Sequence, residues 1–216
     1  MKLYESIYIL QRYSEIIECL TAIMVKNDYH RKRDWTKEDT IHYTTLYQNI
    51  LMDVLSYFDE YDNYFETTAE EKFKNRIRAV KRIAKQAADK IRRWSGIREM
   101  RNEMISHNWR VKGSGEIILS KLGRYNTPRN FHDLLYLQTY ITIIQTVIAA
   151  EFHDISSEIW PYIESIKTTI VPPPQTNPNF EQEIRTLVQE INIKCEEYGK
   201  EYRVNPEAIF LIKHSE

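Results

Sequence analysis

Phe131-His132-Asp133-Leu134-Leu135-Tyr136-Leu137-Gln138-Thr139-Tyr140-Ile141-Thr142-Ile143-Ile144-Gln145-Thr146-Val147-Ile148-Ala149-Ala150 is the stretch that decides the fold class. Leu134, Leu137, Ile141, Ile144, Val147 and Ile148 recur at steps of three and four, the period of a helix with one apolar face. The face is broad, which predicts a helix at the centre of a bundle. Thr127-Pro128 predicts its start, with threonine as cap and proline at the first helical position. The longest apolar run, residues 140–150, is interrupted by Thr142, Gln145 and Thr146, and is short of the ~20 residues of a membrane span.

The same period extends in both directions. Residues 3–25 place Ile7, Leu10, Tyr13, Ile17, Leu20 and Met24 on one face. After a polar connection, Thr36 followed by Lys37-Glu38-Asp39 predicts a capped helix start. The second helix carries Leu46, Ile50, Met52, Leu55, Phe58 and Tyr61 and ends in Asp59-Glu60-Tyr61-Asp62. Thr67 and Thr68 before Ala69-Glu70-Glu71 resemble a capping box. They predict one long third helix over residues 69–105, kinked or divided at Ser95-Gly96 and ended by Lys112-Gly113-Ser114-Gly115. Glu116-Ile117-Ile118-Leu119 reads as a short strand or a packed loop. A helix over residues 156–168 tolerates Pro161 near its start. Pro172-Pro173-Pro174-Gln175-Thr176-Asn177-Pro178 reads as a stiff linker. A last helix over residues 179–198 carries Phe180, Ile184, Leu187 and Ile191. The chain therefore reads as all-α, in the order of a bundle over residues 1–170, a linker over 171–178 and a helical extension over 179–216.

Composition agrees. Of 216 residues only 5 are glycine, against about 7% in average proteins, so tight turns are few. A chain of this length can bury a core without staples. Cys19 and Cys195 fit no metal-ligand spacing or disulfide framework, which predicts a reducing cytoplasmic compartment. Met1-Lys2-Leu3-Tyr4-Glu5 lacks the apolar core of a signal peptide, so no membrane association is expected.

Charge is segregated. Residues 72–112 hold 14 basic and 3 acidic side chains, a net +11, in a chain whose total is −1. Such a rod suits either a polyanion such as RNA or neutralisation by acidic neighbours. At 100° per residue, Trp94, Ile97, Met100, Met104 and Ile105 form one apolar arc with Arg101 in its middle. A guanidinium there needs a partner or a cleft. His107 lies about 120° round the wheel from Arg101. The two converge only if the helix loosens before Gly113 or if two chains pair this helix across a two-fold axis. Histidine can move a proton near neutral pH, and arginine can hold a phosphate and stabilise charge building on it. Together they could drive attack of a 2′-hydroxyl on the adjacent phosphate.

The segment Ile97-Arg98-Glu99-Met100-Arg101-Asn102-Glu103-Met104-Ile105-Ser106-His107 resembles the signature of the HEPN superfamily: arginine, a polar residue, a few more residues, then histidine, near the end of a bundle helix. The order of helices over residues 3–150 is similar too. The likeness is greatest to bacterial HEPN proteins of toxin–antitoxin and abortive-infection systems. It implies an up-and-down four- to five-helix bundle that dimerises with two motif helices lining one cleft. It implies a metal-independent endoribonuclease without cofactor, acting in stress response or phage defence. Arg101, Asn102 and His107 would be the catalytic set: phosphate holder, polar companion and general acid or base. Arg98, Arg110 and Lys112 would bind substrate. RNA, a second copy and an antitoxin such as a minimal nucleotidyltransferase are the implied partners. Two other classes fit the residues: a non-catalytic helical protein binding a partner protein or nucleic acid through the basic helix, and a nucleotide-binding bundle.

Other candidates read as structural. Phe131-His132-Asp133 and Phe152-His153-Asp154, with Glu151, offer no metal-ligand spacing on one helix face. Asp59, Glu60 and Asp62 read as a solvated helix end or as partners of the basic helix. Trp35, Trp94, Trp109 and Trp160, with 15 tyrosines, could stack on bases, though core packing is the commoner use. Gly113-Ser114-Gly115 lacks the lysine of a phosphate loop.

Overall fold

The computed structural model describes residues 2–104, 125–167, 180–197 and 205. Those residues form eight α-helices and no strand: α1 (Lys2–Lys26), α2 (Lys37–Asp59), α3 (Glu71–Ile83), α4 (Lys85–Arg92), α5 (Gly96–Met104), α6 (Phe131–Glu151), α7 (Ser156–Lys167) and α8 (Phe180–Glu197). A π-turn, Glu60–Tyr64, extends α2, and a 3₁₀ turn, His153–Ile155, precedes α7. The chain divides into two compact units, Met1–Lys167 and Thr168–Glu216. In the second, the described structure is α8 and residue 205. Residues 113–119 and 172–178, read above as helix end, strand or loop, and linker, lie outside the described residues.

In the first unit α1 packs on α2, α6 and α7, while α3 and α4 pack on α6 and α5 packs on α2. The apolar periods become the core. Leu10, Ile17 and Met24 of α1, Ile50 and Val54 of α2, and Leu134, Leu137, Ile141, Ile144 and Ile148 of α6 are all buried. Val147 of α6 and Tyr13 and Leu20 of α1 are only partly buried, at the margin of the face. Met52 is half-buried, and Leu51, Val54 and Tyr57 join the α2 core instead, because α2 is covered over a wider arc than one stripe. Counted whole, α6 is, among the described residues, the one helix long and apolar enough by length and composition to cross a membrane. Its Leu134–Ile148 face is nevertheless spent on the bundle core.

The start of α2 follows the sequence closely. The Thr36 hydroxyl accepts from the Asp39 amide (3.1 Å), and the Thr36 amide donates to the Asp39 carboxylate (3.0 Å). Lys32 closes on the same carboxylate at 2.6 Å. The hydrogen bonds from Lys32 and Thr36 hold the Asp39 carboxyl down at about 2, below its ordinary 3.8. Since the folded value is depressed, this contribution is present above pH ~4 and is lost as the pH falls towards 2. Thr36→Ala should cost about 1 kcal/mol in thermal unfolding. It should also move the Asp39 titration, read by NMR, back towards the ordinary carboxylate range. An unchanged midpoint would remove the cap from the account.

Two predicted starts differ. Thr67 and Thr68 do not cap α3; their hydroxyls donate back to the Asn63 and Tyr64 carbonyls of the π-turn. Extended Glu70 precedes the helix instead. Likewise α6 begins not at Thr127-Pro128 but after Asn130, whose side chain accepts from the Asp133 amide at 2.9 Å. Pro128 is held earlier, its carbonyl accepting from the Tyr47 hydroxyl at 2.7 Å.

The predicted long third helix is three helices. The division at Ser95-Gly96 is where the sequence placed it. The break at Ala84 has no glycine or proline to announce it; Ala84 is buried, with ψ near 0°. The bend lets Ile77 and Val80 before it, and Ala87, Ala88 and Ile91 after it, all face the core.

Candidate functional site

α5 is set by its glycine. Gly96 begins the helix, its amide donates to the Asn126 carbonyl at 3.0 Å, and the Asn126 side chain donates to the Arg93 carbonyl. From there Ile97 and Met100 turn into the core. Arg98 and Asn102 remain exposed, and Arg101 lies at the boundary.

The acidic end of α2 meets this helix. Arg98 Nη2 donates to Asp59 Oδ1 at 2.9 Å, and Arg101 Nη1 donates to Asp59 Oδ2 at 3.3 Å. Side-chain exposure is 62% for Arg98, 36% for Arg101 and 32% for Asp59. So the charge inside the apolar arc is resolved by a partner across the fold. One carboxylate takes one guanidinium on each oxygen, leaving the trio with one net positive charge. The geometry is that of two guanidiniums converging on an oxyanion, the arrangement that also receives phosphate.

The π-turn is what delivers the acids. Its i→i+5 bond, Phe65 amide to Glu60 carbonyl at 2.9 Å, widens the helix by a residue. Tyr57, Tyr61 and Phe65 then stack in sequence with centroids 6.2 Å apart. Opposite that buried ladder, Asp62 reaches Arg92 at 2.7 Å, and Glu60 accepts from Ser6. Burial raises the Tyr61 phenol to about 12, with Asp62 adding to the shift and Arg92 opposing it.

Much of the basic rod is neutralised within the fold. Arg76 is held by Glu151 at 2.9 Å and Asp154 at 2.7 Å and lies over the Phe152 ring. Its hydrogen bonds hold the Asp154 carboxyl below the usual range. Arg78 and Lys81 share Glu66, and Lys85 and Arg92 share Asp89. Glu151 and Asp154, weighed above as metal ligands, are thus engaged with an arginine. Lys72, Arg82, Lys90 and Arg93 have no acid within ion-pair distance among the described residues.

Of the six site residues read from the sequence, Arg98, Arg101 and Asn102 share one helix, the first two on a common carboxylate. His107, Arg110 and Lys112, with Trp109, lie outside the described residues. Sequence reasoning marked the acidic end of α2 but not Asp59 as the partner of Arg101. The signal available was an acidic helix end in a chain with an arginine inside an apolar arc. Trp35 packs on Tyr29, with rings stacked at 5.3 Å, and Trp94 packs against the core. A groove of about 460 Å³ between α1, α6 and α7, lined by Ile7, Gln145, Phe152, Ile159 and Trp160 among others, contains none of the candidate site residues.

The chain matches no family model, no curated protein and no solved structure.

Proposed function

We propose that this chain is a HEPN-type, metal-independent endoribonuclease of the cytoplasm, acting in stress response or phage defence. The observation that carries the reading is the pair of arginines on α5, Arg98 and Arg101, closed on one oxyanion and followed by Asn102 and His107 in the order of the HEPN signature. The proposal extends to the finer architecture, an up-and-down bundle over residues 1–170 in which α3, α4 and α5 together serve as one leg beside α1, α2, α6 and α7, with residues 179–216 as a helical extension.

In this reading RNA exchanges with Asp59. A phosphate oxygen takes the place of the carboxylate on Arg101, with Arg98, Arg110 and Lys112 as further contacts to the strand. His107 removes the 2′-hydroxyl proton, the 2′-oxygen bonds to phosphorus, the bond to the 5′-oxygen breaks, and the departing 5′-oxygen takes up a proton from water. The products are a 2′,3′-cyclic phosphate and a 5′-hydroxyl end. Arg101 stabilises the charge on the non-bridging oxygens, where pre-aimed donors contribute most, and Asn102 orients the pair. The angular separation that an ideal helix would give Arg101 and His107 makes a homodimer part of this reading, with two motif helices along one cleft. An antitoxin such as a minimal nucleotidyltransferase would hold it in check.

The test is cleavage of single-stranded RNA by purified chain in the presence of EDTA, with the ends of the products identified. Cyclic phosphate ends from the native chain, and none from His107→Ala, are expected. No cleavage by native protein, or cleavage undiminished in His107→Ala, overturns the proposal.

The second reading, a non-catalytic protein that binds a partner through the basic helix, is favoured by the cations that no acid meets among the described residues, Arg82 among them. It predicts that Arg82→Glu abolishes partner binding while His107→Ala changes nothing. Arg82 is the better probe of the rod than Lys81, whose ammonium already serves Glu66 at 3.6 Å.

A further inference from the structure

α4 has two differently charged sides. Lys85, Asp89 and Arg92 lie on one, tied together and to Asp62. Gln86, Lys90 and Arg93 follow at i, i+4 and i+7 on the other. No acid neutralises Lys90 or Arg93 among the described residues. This second side borders α6. Lys90 Nζ stands 5.4 Å from the centroid of the Tyr140 ring. Tyr140 is stacked on Tyr136, with centroids 6.2 Å apart and planes within 15°. Tyr136 is 58% exposed and Ile143, two turns on, is 45% exposed.

An exposed phenol ring stacked on a half-buried one, with an exposed aliphatic side chain beside unneutralised cations, forms a surface fitted to an occupant. Between Asp133 and Glu151 the sequence of α6 carries no charge of either sign. A second copy seated here by a two-fold contact would set this patch on itself, with no acid to meet Lys90 or Arg93. The complement that fits is a polyanion carrying flat rings. A duplex hides its base faces, whereas single-stranded nucleic acid offers them, and stacking on aromatic side chains with nearby cations is how such strands are held. The position agrees: only residues 93–95 separate α4 from α5, so Lys90 and Arg93 lead along the chain to Arg98 and Arg101.

We infer that the α4–α6 face is a binding track for single-stranded RNA, with bases stacking on Tyr136 and Tyr140 and the strand's phosphates meeting Lys90 and Arg93. This rests on the reading of the chain as a protein that acts on RNA, but not on cleavage.

The experiment is fluorescence anisotropy with a labelled single-stranded RNA of about 12 nucleotides, within the span such surfaces cover. It uses the full chain carrying His107→Ala, so that the probe survives. Joint Tyr136→Ala and Tyr140→Ala should weaken Kd by about tenfold to a hundredfold. Tyr136→Phe with Tyr140→Phe, which keeps the rings, should restore it. Lys90→Gln and Arg93→Gln should each lower the slope of log K against log salt by about 0.7. Circular dichroism and thermal midpoints show that the variants remain folded. Unchanged affinity in both the alanine and glutamine variants overturns the inference. So does an alanine pair that dissociates a dimer without altering RNA affinity, which would assign the face to a second copy. RNA bound through the tyrosines but left uncut by the native chain overturns the nuclease reading and leaves this one standing. Cleavage by the native chain with affinity indifferent to the tyrosines does the reverse.

Discussion

Phe65→Ala is expected to lower the unfolding free energy by about 3–5 kcal/mol, the usual cost of removing a buried phenyl ring. Phe65 is fully buried and is stacked on Tyr61. Its ring also meets Phe152 edge-on, with centroids 6.2 Å apart. Its loss leaves a void where α2's π-turn meets the end of α6. Collapse is hindered on both sides. Tyr57 and Tyr61 are fixed in the same ladder, and Phe152 is pinned beneath the Arg76 guanidinium. Each aromatic pair carries roughly 0.5–1.5 kcal/mol beyond area burial, so the upper part of the range is expected. Urea unfolding followed by circular dichroism measures it. A loss under about 1 kcal/mol would mean that the ladder does not hold the turn, and with it the placement of Asp59.

Gly96→Ala should cost about 2–3 kcal/mol and should separate α5 from the 125–127 segment. A methyl group at Gly96 would lie 3.0 Å from the Tyr125 carbonyl carbon and 3.1 Å from its Cα, and nearer still to the Asn126 amide. All three are backbone atoms, with no side-chain rotation to relieve the contact. Alanine gains up to about 1 kcal/mol of helix propensity over glycine. Overpacking costs about 1–3 kcal/mol and occasionally more, and here the bond from the Gly96 amide to the Asn126 carbonyl and that from the Asn126 side chain to the Arg93 carbonyl go with it. Sterics therefore wins. The consequence would pass to the site, because α5 carries both arginines. Hydrogen exchange across residues 93–104 should rise in the variant relative to α1 and α6. Protection equal to the native chain's would show that Gly96 does not fix the motif helix.

Both expectations concern parts of the fold that the sequence indicates unequally. The faces of α1 and α6 are plain in it: apolar residues at steps of three and four can only be buried together on a helix, and the observed cores follow them. The cap at Thr36 is equally local, since its hydrogen bonds span three residues. The Thr127 hydroxyl pairs instead with the distant Tyr47 hydroxyl at 3.0 Å, and the caps expected at Thr67 and Thr68 fail for a local reason. A threonine hydroxyl satisfies a carbonyl behind it as readily as an amide ahead, and local sequence does not choose between them. The bend at Ala84 has no local cause at all. It exists because α3 and α4 must both lie on α6, a condition set by the partner helix.

The candidate site divides in the same way. Sequence alone determined that the chain is helical, that Arg101 stands in an apolar arc where a charge needs a partner, and that cations crowd residues 72–112. These follow from periodicity and composition, which are properties of neighbours along the chain. Only the tertiary structure decided that the partner is Asp59, 42 residues earlier, and that eight of the twelve described cations of this stretch are met by acids. It alone left Lys90, met by no acid among the described residues, over the half-buried Tyr140 ring and next to exposed Tyr136. The physical reason is that ion pairing and exposure depend on distances between helices. Those distances are fixed by how the buried faces pack, through the π-turn and Gly96, and by no spacing within one helix.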